Sequence, residues 1–212
     1  FHKTYFLNSD TGYLIRHNRG TGLYRTSNGG ASWNVLLEDT TISINDIKFA
    51  DMQTGYFGGH LSYFPNNYNY SKLFRTTNGG LSIDSLNPGF NISITGLEIG
   101  NNTIFIYGGT GLPYISGIFS STNGGMSWIP SDLHKNASDI SFLDANNLYA
   151  TVASNGMYLY KSTNNGVNWS SVGSDIKSYD FEFINNSTGV SVGRMGQIHK
   201  TTNSGLNWNS MT

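Results

Sequence analysis

The sequence predicts an all-β fold, a β-propeller of five four-stranded blades, and three observations carry that expectation. First, one segment recurs five times without a gap: LYRTSNGGASW from Leu23, LFRTTNGGLSI from Leu73, IFSSTNGGMSW from Ile118, LYKSTNNGVNW from Leu159 and IHKTTNSGLNW from Ile198. The copies stand about 40 to 50 residues apart, the period of propeller blades. Second, upstream of each copy apolar residues alternate, as at Ile47 and Phe49 or Ile140 and Phe142, with the period of two that marks a half-buried strand. Third, the composition suits strands and turns: aromatics reach 14%, charged residues only 12%, and 26 of 212 residues are glycine. Such a balance disfavours helices.

Each unit reads as four strands in order. Strand A precedes the first turn, B follows it, C runs into the NGG-type turn, and D begins at the tryptophan. A four-stranded unit repeated about an axis is a propeller. The blades fall at approximately 1–40, 41–88, 89–134, 135–174 and 175–212, one domain over residues 1–212, with a closed ring expected and an arc of a larger propeller as the competing reading. In the C–D turn, Asn28, Asn78, Asn123, Asn164 and Asn203 are expected to accept main-chain N–H groups two residues ahead. The glycines that follow, such as Gly30 and Gly80, supply positive φ. Trp33, Trp128, Trp169 and Trp208 then offer large rings suited to wedging between neighbouring sheets, with Ile83 standing in the second copy.

Composition also narrows the partners. With 12 Lys plus Arg against 13 Asp plus Glu, a net charge of -1, the chain has no cationic excess to bind a phosphate backbone. No nucleic-acid partner is expected. No cysteine is present, so disulfides, thiolate metal sites and a cysteine nucleophile are excluded. No apolar run approaches the roughly 18 residues of a membrane-spanning helix, and no membrane insertion is expected. Opening at Phe1 without a signal-like segment, the chain reads as a mature secreted form or an excised piece. Freedom from cysteine and richness in asparagine point to a bacterial protein, and an exported one is expected, secreted, periplasmic or at the cell surface.

The recurrent segments resemble Asp-box repeats, also called BNR repeats, whose pattern is Ser/Thr-x-Asp-x-Gly-x-Ser/Thr-Trp, with Asn here at every Asp position. The TGY element at Thr11 to Tyr13 and Thr54 to Tyr56, weaker at Thr188 to Val190, is similar to propellers of the photosystem II stability and assembly factor family and its bacterial relatives. The resemblance implies a propeller whose boxes hold turns at the rim, away from the usual binding face. It does not fix a function, because Asp boxes occur in sialidases, xyloglucanases, receptors and assembly factors.

Candidate sites lie elsewhere. Aligned at the start of strand A stand Asp46, Asp139 and Asp180, with Lys3 and Gly96 in the other two copies. Three carboxylates around a channel mouth would suit calcium; alternatively each satisfies main-chain groups at its own strand start. The longest B–C loop is expected from His60 to Tyr70, bearing Tyr63, Phe64, Tyr68 and Tyr70, with Tyr114 on the corresponding loop of the third unit. Exposed rings of this kind serve partner surfaces. Arg16, Arg19 and Arg194, on the loops of the first and last units, form an expected basic patch, and the resemblance to the assembly factors, with their Arg-rich propeller face, implies the same. Arg25, Arg75, Lys161 and Lys200 recur at one place on strand C and read as a solvated row. The five histidines show no metal-ligand spacing, and no cofactor is expected.

These features point to a binding or scaffold module for a protein or peptide, or a glycan, and not to an enzyme. The alternative is a glycoside hydrolase, sialidase- or xyloglucanase-like. Five arginines, of which Arg25 and Arg75 belong to strand C, with only Glu38, Glu98 and Glu182 as glutamates, scarcely assemble a sialidase site. For a hydrolase of neutral glycans, the aspartates of strand A are the place for a carboxyl pair.

Overall fold

In the computed structural model, residues 3–17, 21–63, 68–109, 116–153, 157–172 and 178–211 are described, nine of them (Ser62, Tyr63, Tyr68, Asn69, Ala153, Met157, Ser178, Tyr179 and Arg194) by main chain alone. They form five antiparallel four-stranded sheets, each built from consecutive strands. The first holds β1 (Lys3–Phe6), β2 (Gly12–His17), β3 (Thr21–Thr26) and β4 (Asn34–Asp39). The second holds β5 (Ile42–Phe49), β6 (Gly55–Tyr63), β7 (Tyr68–Thr76) and β8 (Asp84–Leu86). β9 (Ser93–Gly100), β10 (Thr103–Gly109), β11 (Ser116–Ser121) and β12 (Ile129–Pro130) make the third. The fourth comprises β13 (Asn136–Phe142), β14 (Leu148–Ala153), β15 (Met157–Ser162) and β16 (Ser170–Ser171). β17 (Ser178–Phe183), β18 (Gly189–Gly193), β19 (Ile198–Thr201) and β20 (Asn209–Ser210) make the fifth, with a 3-10 turn at Arg194–Gly196.

By contact the chain gathers into two compact parts, one of Phe1–Ile115 with Ser121–Trp128, the other of Ser116–Ser120 with Ile129–Thr212. The first has a core of Tyr13, Ile15, Leu23, Ile42, Ile44, Ile47, Phe57 and Phe74. Tyr13 and Ile15, like Ile42 and Ile44, are two residues apart on one strand, so the alternation read from sequence places them on one buried face. Leu143, Tyr149, Leu159 and Phe181 make the core of the second, with Trp208 packed against it.

The C–D turns repeat one hydrogen-bond pattern. Thr76 Oγ1 accepts from Gly80 N at 2.8 Å and donates to Asn78 Oδ1 at 3.0 Å. The same Oδ1 accepts from Ser82 N at 3.0 Å, and Asn78 Nδ2 donates to Ser82 Oγ at 2.9 Å. Asn28, with Thr26 and Ser32, and Asn123, with Ser121 and Ser127, copy it. The asparagine thus reaches four residues ahead, not two, and closes a wider loop than an Asx turn. Its amide nitrogen also explains why Asn serves: Nδ2 donates to a serine hydroxyl that would otherwise donate to a carboxylate. At Asn164 and Asn203 the distal residue is Asn168 or Asn207, whose main-chain N–H is bonded in the same way.

Trp208 lies against the core that draws on the fourth and fifth sheets, and Trp128 meets Phe90 edge-on with centroids 6.4 Å apart. Trp33 meets Phe6 and Trp208 meets Phe183, each an edge-on contact within its own sheet, with centroids 6.2 and 5.8 Å apart. The indole nitrogens of Trp128 and Trp169 donate to Gly125 O and Gly166 O at 3.1 and 2.9 Å.

Of the basic row on strand C, Lys200 is exposed as expected, while Arg25, Arg75 and Lys161 are turned onto main chain of the next sheet. Arg25 Nε donates to Gly79 O at 2.8 Å, and Tyr13, its cross-strand partner, donates to the same oxygen at 2.7 Å. Tyr149 and Lys161, also cross-strand partners, both donate to Ser204 O. Tyr56 and Arg75 lie against Gly124. In each case a tyrosine and a cation of one sheet clamp the C–D turn of the next. The glycine after the turn leaves room for the ring: a Cβ at Gly80 would stand 2.7 Å from Tyr13 Cε1. Positive φ, +75° at Gly80, adds to that requirement.

Candidate functional site

Strand A is bulged immediately before the aspartate position. The register breaks at Asn45 in β5, Thr95 in β9, Ser138 in β13 and Tyr179 in β17. A bulge re-aims side chains and brings the facing strand close, which explains the double glycines of β6 and β10. A Cβ on Gly59 would lie 1.8 Å from Ser43 O, and one on Gly108 1.9 Å from Ser93 O.

The bulge turns Asp46 inward, where it is buried. Its carboxylate pairs with Lys3, accepts from Ile47 N at 2.8 Å and from Leu97 N at 2.8 Å. One residue after Ile47, Lys48 Nζ donates to Glu98 Oε2 at 2.6 Å. Burial raises the Glu98 pKa, and Lys48 partly holds it back. For Lys48, burial would depress the ammonium, but the hydrogen bond and charge of Glu98 outweigh it and leave the pKa raised. Lys3, Asp46, Lys48 and Glu98 thus form an internally neutralised ladder along strands A of the first three sheets.

Asp180 Oδ1 accepts from Phe181 N at 2.8 Å, so Asp46 and Asp180 each bind the next N–H of their own strand, just past the bulge and not at the strand start. Asp139 opens the same step in β13, facing Thr151 across the sheet. Among the described residues no three histidine or carboxylate side chains gather to hold a metal ion.

At the other end of the B strands lies a polar cluster that spacing alone does not reveal. His17 Nε2 is 2.7 Å from Ile44 O. His60 Nδ1 is 2.9 Å from Ser93 Oγ and 3.3 Å from Asn45 Nδ2, which also donates to Ile94 O at 2.7 Å. An amide nitrogen only donates, so its contact needs His60 Nδ1 unprotonated. Burial, then the charge of His17, lowers the His60 pKa from its ordinary 6.5. The histidines that look scattered in sequence are neighbours here, brought together because each ends or follows the same stretch of a B strand.

Of the expected partner face, Arg16 belongs to β2 and not to a loop. It pairs with Glu38 at 3.2 Å, both half exposed, and its guanidinium lies 5.1 Å from the Tyr24 ring centroid. Tyr24 Oη donates to the same glutamate oxygen at 2.6 Å, so the charge of Arg16 is compensated within its own sheet. The expected loop from His60 to Tyr70 is instead largely a hairpin, β6 and β7, with Tyr63 opposite Tyr68 and Leu61 opposite Tyr70. Each strand is nine residues long, and Tyr70 is 43% exposed. Arg194 begins the 3-10 turn, where Met195 takes φ 59°. Phe64, Tyr114 and Arg19 lie outside the described residues.

No protein-family profile matches the chain, and no curated protein matches it. Solved structures do. The GH74 enzyme of Niastella koreensis aligns with a TM-score of 0.70 and 14% identity over 93% of this chain and 35% of its own. The GH74 xyloglucanase of Xanthomonas campestris aligns at 0.72, with 14% identity over 99% of this chain and 37% of its own. The chain thus spans about a third of the length of these enzymes. YCF48 bound to D1 peptide aligns at 0.47, with 15% identity over 98% of this chain and 80% of that one, too weak a likeness to argue from. The likeness to the GH74 enzymes establishes the β-propeller fold.

Proposed function

We propose that this chain is a non-catalytic binding module that presents the B–C end of its sheets to a protein or peptide, with a glycan as the second ligand class. The observation that carries the reading is the β6–β7 hairpin. It is the longest in the described chain, and it bears Tyr63, Tyr68 and Tyr70, residues whose rigid amphipathic rings favour interfaces. Meanwhile Asp46 and Glu98 are engaged by Lys3 and Lys48, which disfavours them as an acid and base pair. In this reading the C–D turns are Asp boxes with Asn for Asp, and the five sheets make one propeller over residues 1–212. Export from a bacterial cell belongs to the same reading.

The test is binding of the chain to immobilised protein fragments and to a glycan array, repeated with Tyr63→Ala and Tyr70→Ala. Affinity falling about tenfold or more with each, at unchanged melting temperature, is expected; ligands retained by both variants would defeat the reading. A hydrolase acting on neutral polysaccharide is the second reading, favoured by the raised pKa of Glu98 beside Asp46, as a general acid requires. Release of reducing ends from xyloglucan, lost in Glu98→Gln, would establish it.

A further inference from the structure

We infer that one face of the fifth sheet, carrying Val192 and Ile198, is a docking surface for the first sheet of a second copy of this chain, joined head to tail. The inference stands apart from the binding-module reading, which concerns the B–C end of the sheets.

The repeats define the face. On strands B and C it carries Tyr13, Ile15, Leu23 and Arg25 in the first sheet, and Val190, Val192, Ile198 and Lys200 at the same cross-strand places in the fifth. In the first sheet it is covered by the second: Tyr13 stacks on Phe49 and meets Phe57 edge-on, and Ile15 and Leu23 join Ile44 and Ile47 in one core. In the fourth sheet it is covered by the fifth, where Phe181 and Phe183 pack on Tyr149. The place of Val192 and Ile198 is buried in each of the other four copies, by Ile15 and Leu23, Gly58 and Leu73, Tyr107 and Ile118, and Thr151 and Leu159. Val192 and Ile198 themselves are 44% and 40% exposed. On the opposite face of the same strands, Ser191 and His199 are buried. Single exposed apolar residues are ordinary; a cross-strand pair exposed only in the last copy points to a missing cover.

What covers this face elsewhere identifies the occupant. A covering sheet presents the other face of its strands A, B and C, as Ile47, Phe57 and Phe74 do over the first sheet. In the first sheet those places hold Thr4, Leu14 and Tyr24. Thr4 is exposed, Leu14 and Tyr24 are half-buried, and Phe6, two residues beyond Thr4, is 46% exposed. The first sheet thus has a covering face that is itself uncovered.

Charge selects the same sheet. Equal steps of strand A pair across stacked sheets, Lys3 with Asp46 and Lys48 with Glu98. In the fifth sheet these steps hold Asp180 and Glu182, both exposed, so the incoming strand A must bring a cation. Of the residues at the first step, Lys3, Asp46, Gly96, Asp139 and Asp180, the cation is Lys3. Its ammonium has three donors, enough for Asp46 on one side and Asp180 of the other copy on the other. Lys200 stands where Lys161 donates to Ser204 O, and the incoming turn presents Gly29 O at that place. Val190 lacks the hydroxyl that Tyr13 and Tyr149 use in their clamps, so this joint is weaker than those within the chain.

Sedimentation of the full chain from about 1 to 200 μM should show association that continues past a dimer or closes into a ring, because a head-to-tail contact leaves one unused face at each end. Ile198→Lys should weaken it about tenfold or more with the melting temperature held, and so should Thr4→Glu, on the other partner face. Mixed, the two variants should form a pair that stops at two, since each supplies the face the other lacks. Leu81→Lys, on a C–D turn, should change nothing. A chain that stays monomeric across the range overturns the inference. So does association lost in Ile198→Lys but kept in Thr4→Glu, which would mean fifth sheet on fifth sheet, and so does equal loss in Leu81→Lys. Each of these outcomes leaves the binding-module reading standing.

Discussion

At the scale of single residues, the clamps show how much one carbonyl can organise. Tyr13 Oη and Arg25 Nε both donate to Gly79 O, so removing either leaves the oxygen one donor. Tyr13→Phe or Arg25→Met should each cost about 1 kcal/mol in urea unfolding. Together they leave a buried acceptor unpaired, so the double variant should lose roughly 1 kcal/mol more than the two single losses predict; simple additivity would show that the carbonyl finds another donor. His60 gives a pH dependence. Its folded pKa lies below its ordinary value, so near pH 6 the unfolded chain binds more protons, and stability falls as pH falls. The contribution of neutral His60 is whole above the unfolded pKa and is lost as pH drops through the folded one. A plot of melting temperature against pH should therefore decline from about pH 7 to 5, and His60→Gln should flatten that decline.

At the scale of elements, the bulges on strand A decide which substitutions the B strands tolerate. Gly59→Ala drives a methyl against the Ser43 carbonyl oxygen, a rigid main-chain atom, and should cost about 3 kcal/mol or more. Gly117→Ala, whose methyl would stand 3.4 Å from Leu133 O, should be nearly neutral by the same thermal unfolding measurement. Strands and C–D turns were legible in sequence because period-two alternation and the NGG turns are local signals. The ion pair of Lys3 with Asp46 left a trace: a lysine stands where the next copy has an aspartate. Tyrosine and a cation at matching positions in the first, second and fourth copies, where the third has Phe105 and Ser120, would likewise have revealed the clamp. The cluster of His17, Asn45, His60 and Ser93 left no such trace, because a bulge one residue long sets which way Asn45 points.

Across the whole molecule, charge contributes little. Only 12% of residues are charged, and the described side chains form three ion pairs, that of Arg16 with Glu38 half exposed. Apolar packing and neutral hydrogen bonds carry the stability instead. Raising sodium chloride from about 0.05 to 0.5 M should move the melting temperature by less than roughly 2 °C; a larger fall would mean that the strand-A ladder matters more than its count implies. Repetition has a further effect. Because each clamp joins one sheet to the turn of the next, a lost clamp should weaken neighbouring sheets more than distant ones, as in other repeat folds.

The asparagines of the C–D turns also set how the protein ages. Asn28 and Asn78 are each followed by glycine, a pairing in which the glycine nitrogen attacks the side-chain carbonyl, expels ammonia and leaves a cyclic imide that water opens to an acid. Here Gly29 N and Gly79 N donate to Asp10 O and Gln53 O at 2.8 Å, and the asparagine carbonyls are held by Ser32 N and Ser82 N. The nucleophile and its target are both occupied, so the chemistry waits for the turn to open. At these two turns the folded protein keeps its amides; each excursion out of the fold risks a permanent chemical scar.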